Sequence, residues 1–516
     1  MEIMIPEINL ASIYPEIVIT VFAIIVLLFH AFTLPHSPPY KEPPLSPPLE
    51  RGDEGEVKGG AEKGGRDHLG YISFIGVAYA TFLVFTQEGG SEYSFNGLWI
   101  LDNYSRFFRL IFLLGTGLTI LISMKYVKDE DINHGEYYSL ILFATVGMML
   151  MAGGADLIVI FLGLELMSIS LYVLVGYTRR RLISNEASLK YFLLGSFATG
   201  FLLYGIALLY GATGTTNLKG IAGFISESNF GSPILIMGMV LLVVGFGFKI
   251  ASVPFHMWAP DVYEGAPSPI TAFMSAGPKA AAFAAFARVF FEGLPSLQGV
   301  WVDLIWILSV LTMTVGNVIA LVQNNIKRML AYSSIAHAGY VLVAFVSANE
   351  LGIGGILYYM LAYTFMNIGA FGIIIVVGGK GEARVNVEDY TGLAYRHPVA
   401  AAAMSLFLFS LAGIPPTAGF MGKFYIFSAA VKSGYIGLAI IAVINSVVSV
   451  YYYLRIIVAM YMKEPEPAVS GAEAMPTLVF SAAMVIAMII AAYGVLRMGI
   501  FPSTYIAMAQ QSYLSF

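Results

Sequence analysis

Val244-Gly-Phe-Gly-Phe-Lys-Ile-Ala-Ser-Val-Pro-Phe-His-Met-Trp-Ala-Pro-Asp-Val-Tyr-Glu-Gly-Ala-Pro-Ser-Pro269 is the stretch that decides how this chain is read. An apolar helical run carries Lys249, is broken at Pro254, resumes with His256, and ends in an acidic Pro/Gly-rich turn around Asp261 and Glu264. A second apolar run follows and carries Lys279. Proline within a helix removes a backbone donor and clashes with the carbonyl four residues back, so Pro254 is expected to free the carbonyl of Ile250, beside Lys249. In lipid such a defect persists only where protein or water satisfies it. Two lysines, a histidine and a broken helix at membrane depth therefore mark a polar interior path.

The composition agrees. The chain is 58% hydrophobic and only 11% charged, against about 25% charged residues in ordinary soluble domains, which points to a polytopic membrane protein. With no cysteine, disulfides, iron-sulfur ligation and thiolate catalysis are excluded within this chain. Glu2, Glu7 and Glu16 precede the first apolar run where a cleavable signal would need basic residues, so that run reads as a retained helix.

Runs long enough to cross about 30 Å of hydrocarbon number about fourteen. They lie near 15–34, 70–86, 104–124, 137–152, 155–178, 186–211, 233–258, 268–291, 301–322, 328–348, 353–378, 399–430, 435–462 and 476–496. Residues 35–69, rich in Pro, Gly, Glu and Lys, read as a disordered cytoplasmic loop. Basic residues gather in odd-numbered loops, Arg179, Arg180, Arg181, Lys327 and Arg328 among them, whereas even-numbered loops hold only Lys219 and Lys432. By the positive-inside rule the odd loops face the cytoplasm and both termini the periplasmic side of the cell inner membrane, with Arg106, Arg109 and Arg497 as mild exceptions.

A second broken helix lies at Leu411-Ala-Gly-Ile-Pro-Pro-Thr-Ala-Gly-Phe-Met-Gly-Lys-Phe424, with Pro415 and Pro416 at mid-span and Lys423 just beyond. The organisation expected is 1–34, first transmembrane helix; 70–130, helices 2 and 3; 131–292, a first five-helix repeat of helices 4–8; 301–462, a second of helices 9–13; and 463–516, the last helix and tail. The broken helices, 7 and 12, hold the fourth place in each repeat. An odd number of spans inverts the second unit, the pattern of inverted-repeat transporters with a site near the midplane.

Away from their ends, the spans hold few ionisable residues: Glu165, Lys190, Lys249, His256, Lys279, Arg288, His337, Lys423 and Arg455. A charge at a helix centre costs on the order of 3 kcal/mol, so lysines that outnumber acids need a reason. Burial lowers a lysine's proton affinity and a neighbouring carboxylate raises it, so a lysine beside a mobile glutamate can be loaded and emptied. Glu165 with a lysine of span six or seven fits, and Lys249 is the leading proton carrier. Lys190 lies nearer the cytoplasmic end and can also snorkel. His256 and His337 are open between proton transfer and a buried, backbone-bonded role. Arg288 and Arg455 read as interfacial anchors, Asp261 and Glu264 as caps of the turn or a cation funnel. Gly422-Lys423 lacks the rest of a phosphate loop, two histidines without an acidic cluster make no metal site, and nothing suggests nucleic acid.

Several long motifs resemble one family, the antiporter-like membrane subunits of respiratory complex I, in its subunit N branch. They are Leu162-Gly-Leu-Glu-Leu-Met-Ser-Ile-Ser-Leu-Tyr172, Glu186-Ala-Ser-Leu-Lys-Tyr-Phe-Leu-Leu-Gly-Ser196, the Gly247–Pro267 segment, Lys327-Arg-Met-Leu-Ala-Tyr-Ser-Ser-Ile-Ala-His-Ala-Gly339 and Gly413–Phe424. In family order, they cover the chain from about 100 to 460. The resemblance implies that Glu165 pairs with Lys190, that Lys249 is the central lysine with His256 after the break, that Lys279 is the eighth-helix lysine, and that Lys423 ends the second half-channel, where subunit M has a glutamate. The 35–69 insertion departs from the family's short first loop.

The fold class expected is thus an all-α polytopic membrane protein of about 14 transmembrane helices. The function implied is a proton-translocating subunit (a translocase) of NADH:quinone oxidoreductase, with no redox catalysis in this chain. FMN, iron-sulfur clusters and quinone belong to other subunits, and this chain carries no cofactor and no metal. Partners implied are the lipid bilayer, antiporter-like subunit M, and the small subunits K, J and A. The alternative is a cation/proton antiporter subunit of the multisubunit type, and a third reading is a membrane scaffold without transport.

Overall fold

The computed structural model describes residues 8–33, 68–87, 90–227, 232–464 and 478–512. Most of the expected 35–69 loop lies outside them; its last two residues, His68 and Leu69, already belong to a helix. In chain order the helices are α1 (Tyr14–Thr33), α2 (His68–Thr86), α3 (Asn103–Asp129), α4 (Gly135–Gly153), α5 (Leu157–Val175), α6 (Leu182–Thr213) and the short amphipathic α7 (Leu218–Glu227). Next come α8 (Pro233–Lys249), α9 (Trp258–Gly265), α10 (Ser268–Arg288), α11 (Gln298–Leu321), α12 (Ile326–Ser347) and α13 (Glu350–Gly378). The one-turn α14 (Leu393–Arg396), α15 (Pro398–Ala412), α16 (Ala418–Lys432), α17 (Ile436–Met462), α18 (Ala482–Ile500) and α19 (Pro502–Gln511) complete the chain. A β-hairpin, β1 (Glu92–Ser94) and β2 (Trp99–Leu101), sits between α2 and α3.

Twelve of these helices, with short lead-in turns at some ends, are long and apolar enough to cross a membrane. The α8/α9 and α15/α16 pairs are the two interrupted crossings, which gives the expected fourteen. In the series α4, α5, α6, α8/α9, α10 and the series α11, α12, α13, α15/α16, α17, the interruption falls at the fourth place, and five crossings set the second series in the opposite sense. Neighbouring helices α4 and α5 pack side by side, as do α11 and α12 in the second series. Helix α10 is buried along its whole length, and α3, α12 and α13 nearly so. Helices α1, α6, α11 and α17 turn apolar faces outward, with Phe197, Tyr204, Ile444 and Val447 exposed, as a lipid-facing surface requires.

Both breaks are longer than the prolines alone dictate. Helix α8 ends at Lys249, five residues before Pro254, and the chain becomes helical again only at Trp258, not at His256. The freed groups are satisfied locally: the Trp258 indole donates to the Phe248 carbonyl at 3.0 Å, and Val253 N–H donates to Thr312 Oγ1 at 3.0 Å. At the second break α15 ends on Gly413, whose φ of +85° is the left-handed cap that L side chains resist. Gly419 N–H then donates to Ser410 Oγ at 3.1 Å.

Arg288 is no interfacial anchor. Its guanidinium is fully buried, takes both Asp102 oxygens at 3.0 and 2.9 Å, donates to Glu292 at 2.9 Å and to the Ala152 carbonyl at 3.0 Å. Arg109, an exception to the charge sorting, is equally buried and paired with Glu16 at 2.7 Å. Arg455 lies two turns inside α17, and its guanidinium reaches Asn324, just beyond the end of α11, at 2.6 Å. Arg288→Met strands two carboxylates away from water and is expected to destabilise the chain by about 3–5 kcal/mol. Thermal unfolding of the full chain in lipid nanodiscs measures this, and Arg288→Met with Asp102→Asn should recover part of the loss.

Candidate functional site

The lysines of the interior path lie at or between the helix breaks. Lys249 ends α8, and its Nζ donates to Ser168 Oγ of α5 at 2.7 Å. Ser168 lies one turn from Glu165 on the same face of α5, and Glu165 is the carboxylate whose charge bears on Lys249. Lys279, midway along α10, donates to the Ser334 carbonyl of α12 at 2.8 Å and to the Ser334 hydroxyl. Lys423 reaches back across the second break to the Leu411 and Ala412 carbonyls at 3.1 and 3.0 Å, and to Ser446 Oγ of α17 at 3.0 Å. An ammonium on the last carbonyls of a helix completes the orphan acceptors and meets the negative end of the helix dipole.

His337 of α12 stands between the last two lysines, and theirs are the charges that bear on its ring. Its Nδ1 meets Tyr359 OH at 2.5 Å and its Nε2 meets Tyr453 OH at 3.0 Å, while Tyr453 OH also meets the Ser333 hydroxyl. Asn317 continues the polar line, donating to Tyr340 OH at 2.9 Å and accepting from Tyr452 OH at 2.9 Å. The Tyr340 ring lies under Lys423 Nζ at 4.9 Å. Hydroxyls that both donate and accept therefore surround His337 and Asn317.

Two expected members lie apart. Glu165 and Lys190 do not pair: Glu165 accepts from Thr199 Oγ1 at 2.9 Å, whereas Lys190, with its side chain 44% exposed, holds Glu186 at 2.7 Å and Asp261 at 3.0 Å. Lys190 follows the nearer, wetter carboxylates, because desolvating its ammonium to reach Glu165 costs more than the exchange gains. His256 is half-buried beside the exposed Met257 in the first break. Asp261 and Glu264 are not simple turn caps: Arg328 bridges them at 2.8 and 2.6 Å.

The partners divide the buried cations into two kinds. Arg109, Arg288 and Lys327 are each held by a carboxylate. Lys249, Lys279 and Lys423 are held by hydroxyl and carbonyl oxygens, and among the described residues none of the three makes an ion pair. Losing a proton from a carboxylate-paired cation strands a buried anion. Losing one from a lysine held by neutral oxygens strands nothing, and the neutral amine still donates to them. The second kind alone suits reversible protonation.

A family model described as "NADH:quinone oxidoreductase/Mrp antiporter, TM" matches residues 154–449, a span that holds both breaks and every lysine above. The chain belongs to this antiporter-like membrane family. A member from Trichlorobacter lovleyi, named NADH-quinone oxidoreductase subunit N, is 53% identical over 98% of this chain and 97% of its own length. One of that name from Chloroflexus aggregans is 41% identical over 98% of both. A chain in a solved structure titled "Respiratory complex I from Thermus thermophilus with bound Aureothin" superposes with a TM-score of 0.77 at 32% identity, covering 96% of this chain and 98% of that one. A chain of the Mrp complex from Dietzia shares the fold, with a TM-score of 0.81 at 20% identity over 98% and 97%.

Sequence reasoning missed the polar side chains around the lysines and His337: Ser168, Ser334, Tyr359, Tyr453 and Asn317. Serine and tyrosine are common in apolar helices, so only Asn317, an amide inside a span, carried a signal. Also missed was Glu382, just past α13. It accepts from Lys327 Nζ at 2.9 Å, Tyr126 OH at 2.8 Å and Ser268 N–H at 2.7 Å, with Arg181 at 3.2 Å. Burial pushes its carboxyl up, but the Lys327 charge, the Ser268 and Lys327 hydrogen bonds and Arg181 outweigh it and hold it at about 2. A depressed carboxylate contributes its stability above the unfolded value of 4.5 and loses it as pH falls toward 2. That contribution is about 3 kcal/mol. Glu382→Gln should therefore unfold more easily at pH 7, with a gap to the native chain that narrows as pH falls from 4.5 toward 2; a gap independent of pH refutes this account.

Proposed function

We propose that this chain is the subunit N type of proton-translocating membrane subunit in a NADH:quinone oxidoreductase, with Lys249, Lys279 and Lys423 as the groups that take up and release protons. The observation that carries the reading is that these three buried lysines rest on neutral oxygens while the other buried cations rest on carboxylates. Identity of 53% along nearly the whole chain to a protein named subunit N supports the assignment to the redox-driven branch over the cation/proton antiporter branch.

In this reading Glu165 sets the proton affinity of Lys249 through space, because its carboxylate is held by Thr199 and not neutralised by Lys190. Its movement toward or away from Ser168 changes the field at Lys249. His337, between Lys279 and Lys423, hands the proton between them through Tyr359 and Tyr453. Lys190 and His256 serve the ends of the path, Lys190 by holding Asp261 at the basic end of the bundle. FMN, iron-sulfur clusters and quinone reside in other subunits. The partners are the lipid bilayer, subunit M, and subunits K, J and A. The site is the cell inner membrane, with both termini periplasmic, and the repeats are 131–292 and 301–462.

In the intact complex in membrane vesicles, Lys249→Ala should lower proton uptake and quinone reduction together. Lys249→Arg separates a carrier from a structural charge, because an arginine keeps the positive charge but does not release its proton. Loss in both variants is expected. Rescue by arginine, or native rates in both, refutes the carrier role of Lys249.

A further inference from the structure

At the end of the bundle that carries Arg179, Arg180 and Arg181, a cavity of about 940 Å³ opens between α1, the α3–α4 turn and the α5–α6 turn. One wall of it holds three groups that the proton path does not use. His30 lies in the last turn of α1, His134 is the residue before α4, and Glu136 is in the first turn of α4. One ligand atom from each lies within 4.8 Å of the others. His30 Nε2 and Glu136 Oε2 are 3.3 Å apart.

We infer that His30, His134 and Glu136 form a binding site for a divalent transition cation of the Zn²⁺ type, clamping the end of α1 to the start of α4. Zn²⁺ binds imidazole nitrogen and carboxylate oxygen at about 2.0–2.2 Å in a tetrahedron, which places neighbouring ligand atoms about 3.3–3.5 Å apart. The His30–Glu136 separation already equals one such edge. The His134 ring, centred 5.5 Å from the His30 ring, closes the third corner through a small side-chain rotation. Two imidazoles and one carboxylate, with no thiolate, make a set for zinc rather than for calcium or magnesium, which call for oxygen alone. The fourth position faces the cavity and water, since Glu136 is half exposed.

The backbone is shaped for this approach. Gly135 separates the two α4 ligands, and a Cβ there would come within 2.5 Å of His30 Cβ and 2.9 Å of the Val26 carbonyl. The missing side chain lets α1 reach the ligands on either side of it. The imidazole of His134 makes no hydrogen bond to the helix it precedes, so binding a cation breaks no cap. Glu136 is acidic at a helix N-terminus, where it is stable with or without the ion.

The inference stands apart from the proton path and is tested on the full chain in lipid nanodiscs. Zn²⁺ uptake is read by competition with a fluorescent zinc chelator for the native chain and for His134→Ala, Glu136→Gln and the distant His397→Ala. The native chain and His397→Ala should take one Zn²⁺ with equal affinity, and the two ligand variants should bind at least about tenfold more weakly. Zn²⁺ should also raise the thermal unfolding midpoint of the native chain and not of the ligand variants. If the native chain takes none, or the ligand variants bind like it, the site does not exist. His134 and Glu136 are only partly covered, so both variants should fold, and a native midpoint without metal verifies it.

Discussion

An ammonium group inside a low-dielectric bundle must either hold a carboxylate or find enough neutral oxygen to replace its water, and this chain does both in different places. The α15/α16 break supplies part of the neutral oxygen, and serines of the unbroken helices α5, α12 and α17 supply the rest. An uninterrupted helix spends its carbonyls on itself, whereas a helix that stops in mid-membrane leaves its last carbonyls unclaimed. Lys423 takes two of these at the end of α15. At the second break the interruption and the buried lysine are thus one feature, each making the other affordable in lipid.

The same reasoning explains why the path is rich in hydroxyls. Lys249 and Lys279 lean on serines, and His337 lies between two tyrosines. A hydroxyl serves a charged lysine as acceptor and a neutral one as donor, so each side chain stays satisfied in both protonation states. A carboxylate in those places would fix the charge. Glu165 is held by Thr199 and makes no ion pair with Lys249, so it acts on that lysine only through space.

The fourteen crossings, the two interruptions and the positions of Lys249, Lys279 and Lys423 were legible because apolar length, mid-span proline and mid-span charge each leave a one-dimensional trace. The extent of the breaks was not: Pro254 marks the first one, yet α8 already ends at Lys249, because Ser252 N–H turns back to the Gly247 carbonyl at 2.8 Å and Val253 N–H finds Thr312 of α11. Pairing was harder still. Glu165 and Lys190 looked like partners, but Asp261, seventy-one residues from Lys190, sits nearer it. Arg288 looked like an anchor because its partner Asp102 lies 186 residues away in a loop before α3. Side-chain choice among several acids is decided by tertiary approach, which a linear pattern does not encode. Glu382 was invisible for the same reason.

The carboxylate-paired cations give the path its frame. Helix α10 is tied at one end where Ser268 N–H meets Glu382, and at the other where Arg288 meets Asp102. Lys279 lies eleven residues from the first tie and nine from the second, roughly 16 and 14 Å along the axis. Helix α12 repeats the arrangement: Lys327 is fixed on Glu382 near its start, and Ser334 and His337 follow two to three turns later. Lys279 thus sits between two charged ties on α10 and faces Ser334 on a helix, α12, that is tied near its start. In the proposed reading these ties leave rotations of Lys279, the Ser334 hydroxyl and the tyrosines around His337 to absorb a change of charge. A bundle without such ties would be free to answer the same change in charge by shifting whole helices.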